Sequence, residues 1–350
     1  MKYHLSISER TFHFKQPAGT SRGVYRTRQS YFISLVSNVE DEVKGIGECA
    51  TLPDLSCDAV PDYKQILQEA CLAFEEDGTI DYEQLRPYPS ILFGLETALA
   101  QWNAHGSWAL FDTPFGRGEE GIVINGLVWM GSFDEMYARI NEKMEQGFRC
   151  VKLKVGAIDF EKELELVKFI RSNFSKSDIE IRLDANGGFT VDNALSRLER
   201  LAVYDIHSIE QPINQHRWKE MAKLCKDSPI PIALDEELIG VNLLNQKEIL
   251  LDSISPAYII LKPSLHGGMH GTEEWISLAK ERKIGSWMTS ALESNVGLNA
   301  IAQWAAKVYG PKIIFPQGLG TGQLFTDNIP SPLEIKGDQL WFSSMNNGGL

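Results

Sequence analysis

CVKLK at 150–154 begins the stretch that decides the fold, in which short apolar runs each end in a chemically reactive residue. The later runs are EIRLD (180–184), HSIE (207–210), IALDE (232–236), YIILK (258–262) and GSWMTS (285–290). They recur roughly every 25–30 residues, which is the length of one strand followed by one helix. In a parallel barrel the C-terminal ends of all strands meet at one rim, so the sequence predicts that these residues converge.

Two further apolar runs, IVINGLV (122–128) and KIIFP (312–316), bring the predicted strand number to eight, and the segments between the runs have a helical period. The pattern predicts an α/β fold of the TIM-barrel type, in the form (β/α)7β because the final connection looks irregular. The alternative is a doubly wound open sheet. It is disfavoured because no glycine fingerprint follows the first strand, and reactive residues end six successive strands.

The residues before this region have a different pattern. Residues 1–55 alternate polar and apolar side chains as antiparallel strands do, and helices are predicted at 61–76 and 90–105. SWALFDTPFGRGEEG (107–121) is rich in glycine and marks a boundary. We therefore expect an α+β domain over 1–120, a barrel over 121–324, and a terminal segment, 325–350, that packs back onto the first domain.

Composition limits the classes of partner. The chain has 350 residues and a formal net charge of −13, which argues against a nucleic-acid partner. No apolar run reaches the ~18–20 residues of a membrane helix, and the N-terminus lacks the apolar core of a secretory signal. The five cysteines are scattered and resemble reduced thiols, so we expect a cytoplasmic protein without a membrane partner. A homo-oligomer is left open.

Three acidic residues, Asp184, Glu210 and Asp235, end consecutive predicted strands, and oxygen ligands of this kind suit Mg²⁺, with Mn²⁺ as the alternative ion. A structural network of carboxylates paired with basic neighbours is the competing interpretation. Glu236 directly follows Asp235, so on a continuing strand it faces away from the site and has at most a supporting role.

Lysines flank the predicted carboxylate arc. Lys152 and Lys154 lie two apart and point the same way on a strand, and two ammonium groups this close repel, which lowers the pKa of at least one. Lys262 lies across the barrel mouth, where a cation can act as a base or offset negative charge. Solvated lysines at strand ends are the alternative. Ser290 and Arg182 are the candidate substrate contacts.

The motifs KLK (152–154), RLDANGGF (182–189), IEQP (209–212), LDEEL (234–238) and ILKPS (260–264) resemble the muconate-lactonizing subgroup of the enolase superfamily. The resemblance spans the whole chain. It implies that residues 1–120 form a capping domain, and that Asp184, Glu210 and Asp235 bind Mg²⁺ between the lysines. It also implies that loops at 16–26 and 48–56 set the specificity for a small carboxylate substrate.

Within that subgroup, SALESNVGLNAIAQW (290–304) and GLGTGQLFTDNI (318–329) are most similar to members that dehydrate a cyclohexadiene carboxylate in menaquinone synthesis. The resemblance implies a hydro-lyase in which Lys154 moves the proton, Lys262 offsets charge through a cation–π contact, Lys152 assists the carboxylate, and Ser290 or nearby backbone holds the substrate tail. N-acylamino-acid racemization is the nearest alternative, followed by muconate cycloisomerization. A non-catalytic metal-binding scaffold is the alternative from another class.

Overall fold

The computed structural model describes residues 3–20, 23–37, 43–129, 131–310 and 313–343. The N-terminal part holds an antiparallel sheet of three strands, β1 (Tyr3–Thr20), β2 (Gly23–Ser37) and β3 (Val43–Cys49), in the order β1-β2-β3. It is followed by helices α1 (Tyr63–Asp77), α2 (Tyr82–Leu85) and α3 (Pro89–Asn103). The predicted antiparallel region and both predicted helices are therefore present, with small shifts of their ends.

Helix α3 packs directly on β3, and glycine makes this contact close. A Cβ at Gly47 would lie only 1.8 Å from the backbone oxygen of Gly94 on α3. Any larger residue at Gly47 would separate the helix from the sheet. The contact buries the apolar face of α3 in a core of its own, which also includes Leu67 and Phe74 of α1.

The remaining strands are β4 (Ile122–Val123), β5 (Gly126–Val128), β6 (Cys150–Lys154), β7 (Glu180–Asp184), β8 (Ile206–Glu210), β9 (Ile232–Leu234), β10 (Tyr258–Leu261), β11 (Gly285–Met288), β12 (Leu333–Lys336) and β13 (Gln339–Phe342). The remaining helices are α4 (Phe133–Glu145), α5 (Phe160–Asn173), α6 (Val191–Ala202), α7 (Trp218–Asp227), α8 (Leu244–Ile254), α9 (Gly268–Glu281) and α10 (Asn295–Tyr309). Strands β5 to β11 form one parallel sheet in sequential order, with a helix after each strand. This order confirms the predicted TIM-type barrel and excludes the doubly wound alternative.

The barrel closes without the eighth strand predicted at 312–316. Residues 313–316 form no strand, and 311–312 lie outside the described residues. Instead, Gln317 bridges to Ile124 and Gly318 bridges to Thr289, so two isolated bridges close the seam between β4 and β11. Pro316 lacks a backbone N–H for a ladder. The Gln317 side chain adds a contact with β11, because its Oε1 accepts from the backbone N–H of Met288 at 2.7 Å.

The end of the described chain contacts both parts of the molecule. Phe325 packs on Phe12 and Phe14 of β1, with ring centroids 5.4 and 4.5 Å away. The hairpin of β12 and β13 instead pairs with β4, next to the barrel seam. Residues 344–350 of the predicted packing segment lie outside the described residues. No helix in the described part of the chain is long and apolar enough to span a membrane.

Candidate active site

Three buried carboxylates lie together at the C-terminal ends of neighbouring barrel strands. Asp184 ends β7, Glu210 ends β8 and Asp235 directly follows β9. They are at most 1% exposed, and one carboxylate oxygen from each falls within 4.8 Å of the others. The parallel register explains this, since Asp184 pairs with Glu210 and the next strand continues the row. The cluster matches the arc that strand parity predicts.

Three lysines surround these carboxylates. Lys152 donates to both Asp184, at 2.8 Å, and Glu210. Lys154, two residues further along β6, donates to Asp184 Oδ2 at 2.6 Å. Lys262, just after β10, donates to both carboxylate oxygens of Asp235 at 2.6 and 2.5 Å.

Lys154 and Lys262 approach the carboxylates from opposite sides. The strand order β6-β7-β8-β9-β10 places Lys154 at one end of the carboxylate row and Lys262 at the other. Both side chains line the same cavity, as do Asp184 and Asp235. A ligand held at the carboxylates therefore has an amine on each flank, which is the arrangement that proton transfer on either face requires.

The expected lowering of a lysine pKa is not found for Lys152. Burial disfavours its ammonium, but attraction from Asp184 and Glu210 outweighs burial and raises the pKa of Lys152 above its usual value. For Lys262, attraction from Asp235 likewise outweighs burial and raises the pKa. The prediction from lysine repulsion left out the carboxylates of Asp184 and Glu210, which lie within salt-bridge range of the Lys152 ammonium.

The same charges act on the acids. Burial opposes ionisation of Asp184, but Lys152 and Lys154 hold the pKa of Asp184 well below its usual range. Glu210 differs, because burial together with repulsion from Asp184 and Asp235 outweighs Lys152 and raises its pKa to about 8. Glu210 Oε1 is buried and has no hydrogen-bond partner among the described residues. A buried carboxylate oxygen without a partner, beside two further carboxylates, fits a hard divalent cation.

Glu236 faces the cavity, contrary to the prediction from strand parity. Strand β9 ends at Leu234, and Glu236 begins a 3₁₀ turn, so alternation no longer applies. Its Oε1 accepts from Asn186 Nδ2 at 2.9 Å, while Asn186 Oδ1 accepts from Lys154 at 2.6 Å. Asn186 has a φ of 44°, and this left-handed turn is what directs it towards both partners. The sequence analysis missed Asn186, although asparagine before two glycines signals such a turn.

The two candidate substrate contacts lie in different places. Ser290 lines the cavity and hydrogen-bonds to the Thr321 hydroxyl at 2.5 Å. Arg182 is fully buried below the rim, where its guanidinium stacks 4.0 Å from the Trp287 ring and donates to Pro316 O at 2.9 Å. It does not line the cavity. Of these two residues, only Ser290 therefore faces the cavity.

The cavity has a volume of about 670 Å³, which is in the range of sites for small organic ligands. Its roof comes from the N-terminal part of the chain. Gln16, Pro17 and Ala18 lie in the first expected specificity loop, and Leu52 and Leu55 in the second. Residues 21–22 of the first loop lie outside the described residues. Mixed apolar walls above a charged floor suit a small organic substrate with both carboxylate and apolar parts.

Known proteins are similar to this chain in sequence and in fold. Residues 135–342 match the family described as Enolase C-terminal domain-like. The o-succinylbenzoate synthase of Desulfotalea psychrophila is 45% identical, over 97% of this chain and 99% of that protein. The crystal structure of MenC from Desulfotalea psychrophila superposes with a TM-score of 0.81 at 40% identity. The superposition covers 97% of this chain and 100% of the MenC chain. Muconate lactonizing enzyme of Pseudomonas fluorescens has a TM-score of 0.78 at 20% identity, covering 97% and 93%, and this likeness concerns the fold alone.

Proposed function

The chain belongs to the enolase superfamily, and from that premise we propose that it dehydrates 2-succinyl-6-hydroxy-2,4-cyclohexadiene-1-carboxylate to o-succinylbenzoate, a step of menaquinone biosynthesis. It is therefore a hydro-lyase of the o-succinylbenzoate synthase type. The observation that carries this assignment is the near-complete match to the Desulfotalea synthase. The lysine and carboxylate geometry is consistent with the chemistry.

The carboxylate cluster provides the cation site of this reaction. We propose that Asp184, Glu210 and Asp235 hold Mg²⁺, with Mn²⁺ as the alternative ion. A divalent cation there would stabilise the negative charge that develops on the substrate carboxylate when the neighbouring carbon loses its proton.

Lys154 is the base of the proposed mechanism. Its neutral amine removes the proton from the carbon that bears the carboxylate, and the electron pair of that C–H bond becomes a ring double bond. The C–O bond to the hydroxyl breaks on the same face, and the Lys154 ammonium returns the proton to the departing hydroxide. One water is lost and the ring becomes aromatic, so atoms and charges balance.

The other two lysines act through charge. Lys262 approaches from the opposite flank, where its ammonium offsets negative charge on the ring through a cation–π contact. Lys152 lies between Asp184 and Glu210 and assists in holding the substrate carboxylate. Ser290 faces the same cavity and is the proposed contact of the succinyl tail. The loops at 16–26 and 48–56, in the proposed capping domain of residues 1–120, close over the substrate. The proposed cellular site is the cytoplasm, since the five cysteines form no disulfide.

N-acylamino-acid racemization is the second candidate, and the position of Lys262 favours it. Because an amine lines the cavity on each flank of the carboxylates, one lysine can take a proton from one face and the other can return a proton to the opposite face. Muconate cycloisomerization would use the same lysines and cation. The muconate lactonizing enzyme of Pseudomonas fluorescens is only 20% identical, so its likeness supports the fold and not this activity.

Absorbance spectroscopy tests the proposal directly. The purified protein with Mg²⁺ and the cyclohexadiene carboxylate should produce the aromatic spectrum of o-succinylbenzoate, and chelator or Lys154→Ala should abolish it. An exposed lysine variant, Lys168→Ala on α5, serves as the matched control and should keep full turnover. Absence of turnover together with solvent deuterium exchange at the α-carbon of an N-succinyl amino acid would overturn the synthase assignment and support the racemase.

A further inference from the structure

A buried arginine lies where the N-terminal sheet meets the barrel. Arg28 of β2 is 2% exposed, and its Nη2 donates to Ala50 O at 3.1 Å, in the second expected specificity loop. Its Nε and Nη1 make no hydrogen bond with any described residue. Two buried carboxylates, Glu293 and Glu48, attract its charge. A buried group of charges such as this one contributes little net stability, so we expect Arg28 to have another role.

Glu293 connects two loops of the catalytic rim. Its Oε2 accepts from Ala291 N at 2.7 Å, and its Oε1 accepts from the Ser264 hydroxyl. Ser264 lies two residues after Lys262, whereas Ala291 follows Ser290. Leu292, which lies between Ala291 and Glu293, has a left-handed φ of 63°, which is unusual for leucine. Glu293 therefore holds a strained loop at the cavity wall in place.

Glu48 attaches the same region to α10. Its Oε1 accepts from Ser294 N at 2.9 Å, and its Oε2 accepts from the Ser294 hydroxyl at 2.6 Å and from Gly297 N at 2.9 Å. A carboxylate at a helix N-terminus is stabilised by the unpaired N–H groups there. Glu48 is thus satisfied by α10 and by the Ser30 hydroxyl, which donates to its Oε1 at 2.7 Å, and it ties the start of the 48–56 loop to α10.

Five apolar side chains above this network form the roof of the cavity. They are Ala18, Leu52, Leu265, Ala291 and Leu292, which pack together and all line the cavity. We call them the roof cluster. They come from both specificity loops and from the loops that Glu293 joins. Arg28 and Glu293 do not line the cavity themselves, so they do not touch the substrate.

We propose that Arg28 and Glu293 are positioning residues that set the roof cluster against the substrate tail: Arg28 holds the 48–56 loop through Ala50 O, and Glu293 holds the rim loop of Ala291 and Leu292 through Ala291 N and the Ser264 hydroxyl. The proposal rests on the proposed function, because the tail is the part of that substrate remote from the lysines. It predicts that substitution of Arg28 or Glu293 changes substrate binding, with little change in the rate of the chemical step.

Steady-state kinetics of Arg28→Met and Glu293→Gln test the proposal. Each should raise KM for the cyclohexadiene carboxylate by roughly tenfold and change kcat by less than about threefold. Because both residues are proposed to position the same roof cluster, the double variant should be no worse than the worse single one. Arg28→Lys keeps the charge and should restore part of the lost KM. Arg149→Met, at an exposed position before β6 and away from the cavity, is the matched control and should behave as wild type.

A second measurement separates this proposal from the assigned reaction. Chymotrypsin cleavage after Leu55 should be faster in Arg28→Met, while Mn²⁺ affinity and the far-ultraviolet circular dichroism stay unchanged. If the wild type does not turn over the substrate, the proposed function fails, and the cleavage rate alone decides the role of Arg28. Additive single effects, a kcat loss at constant KM, or unchanged cleavage would each overturn the positioning role.

Discussion

Lys154 Nζ lies 2.6 Å from Asp184 Oδ2, so the proposed base is hydrogen-bonded to a proposed cation ligand. An ammonium in this contact cannot accept a proton. A divalent cation held by the cluster would compete for the same carboxylate charge and would weaken the hold of Asp184 on the lysine proton. Cation binding and the availability of the base are therefore coupled through one side chain.

Removal of divalent cations should abolish turnover. Dialysis against chelator is expected to reduce activity to background, and Mg²⁺ should restore it, because the carbanion charge then lacks its stabiliser. Asp184→Asn, Glu210→Gln and Asp235→Asn should each lower Mn²⁺ affinity by roughly 10–100-fold. Titration followed by electron paramagnetic resonance measures this without the need for activity.

Glu165→Gln provides the control for that titration, since Glu165 is an exposed carboxylate on α5. It should bind Mn²⁺ as the wild type does. Unchanged Mn²⁺ affinity in all three cluster variants would refute the assigned ligands.

Arginine substitutions should separate the roles of the two flanking lysines. Lys262→Arg keeps the positive charge and should retain far more activity than Lys262→Ala. Lys154→Arg should be as inactive as Lys154→Ala, with losses on the order of 10³-fold, because arginine stays protonated and cannot act as a base. The quantity to measure is kcat for the dehydration. Equal inactivity of both arginine variants would mean that Lys262 also transfers a proton.

Strand periodicity was sufficient to predict most of the site. Asp184, Glu210 and Lys154 each end a regular strand, so the shared rim of a parallel barrel brings them together whatever the loops do. Glu236 and the seam could not be predicted this way. Glu236 lies where β9 has already ended, and the seam at Gln317 is closed by two isolated bridges rather than by a strand.

Arg182 shows a different limit of the sequence. Its parity matches that of Asp184, so it points into the barrel as alternation predicts. Depth along the strand is not visible in the pattern, however, and two residues place Arg182 below the cavity, against Trp287. The raised pKa of Lys152 could not be predicted either, because the sequence shows Lys154 two residues away but not the contact with Glu210.

Loss of Glu274 should destabilise the fold strongly. Glu274 of α9 accepts from Lys247 Nζ at 2.7 Å and from Arg86 at 3.0 and 3.1 Å, and the Lys247 side chain is fully buried. Glu274→Ala leaves a buried ammonium without its carboxylate, which costs roughly 3 kcal/mol of unfolding free energy. Urea unfolding measures the change. Adding Lys247→Met should recover part of the loss, and a double variant less stable than Glu274→Ala would contradict the argument.

Glu96 should make stability fall as the pH rises. It is buried on α3, where its oxygens accept from Met269 N at 2.5 Å and His270 N at 2.9 Å of α9, and burial raises the pKa of Glu96 to about 8. The folded state thus keeps a proton that the unfolded chain releases near its ordinary pKa of 4.5. The resulting stability is fully present below about pH 4.5 and is lost as the pH rises through 8.

Glu96→Gln removes this titration, so its unfolding free energy should decline less than that of the wild type between pH 5.5 and 8.5, by on the order of 1 kcal/mol per pH unit. Urea unfolding at both pH values measures the difference in slope, which is independent of any constant loss from the altered hydrogen bonds. Glu76→Gln, exposed on α1, should keep the slope of the wild type. Parallel pH profiles for Glu96→Gln and wild type would show that Glu96 stays ionised in the fold.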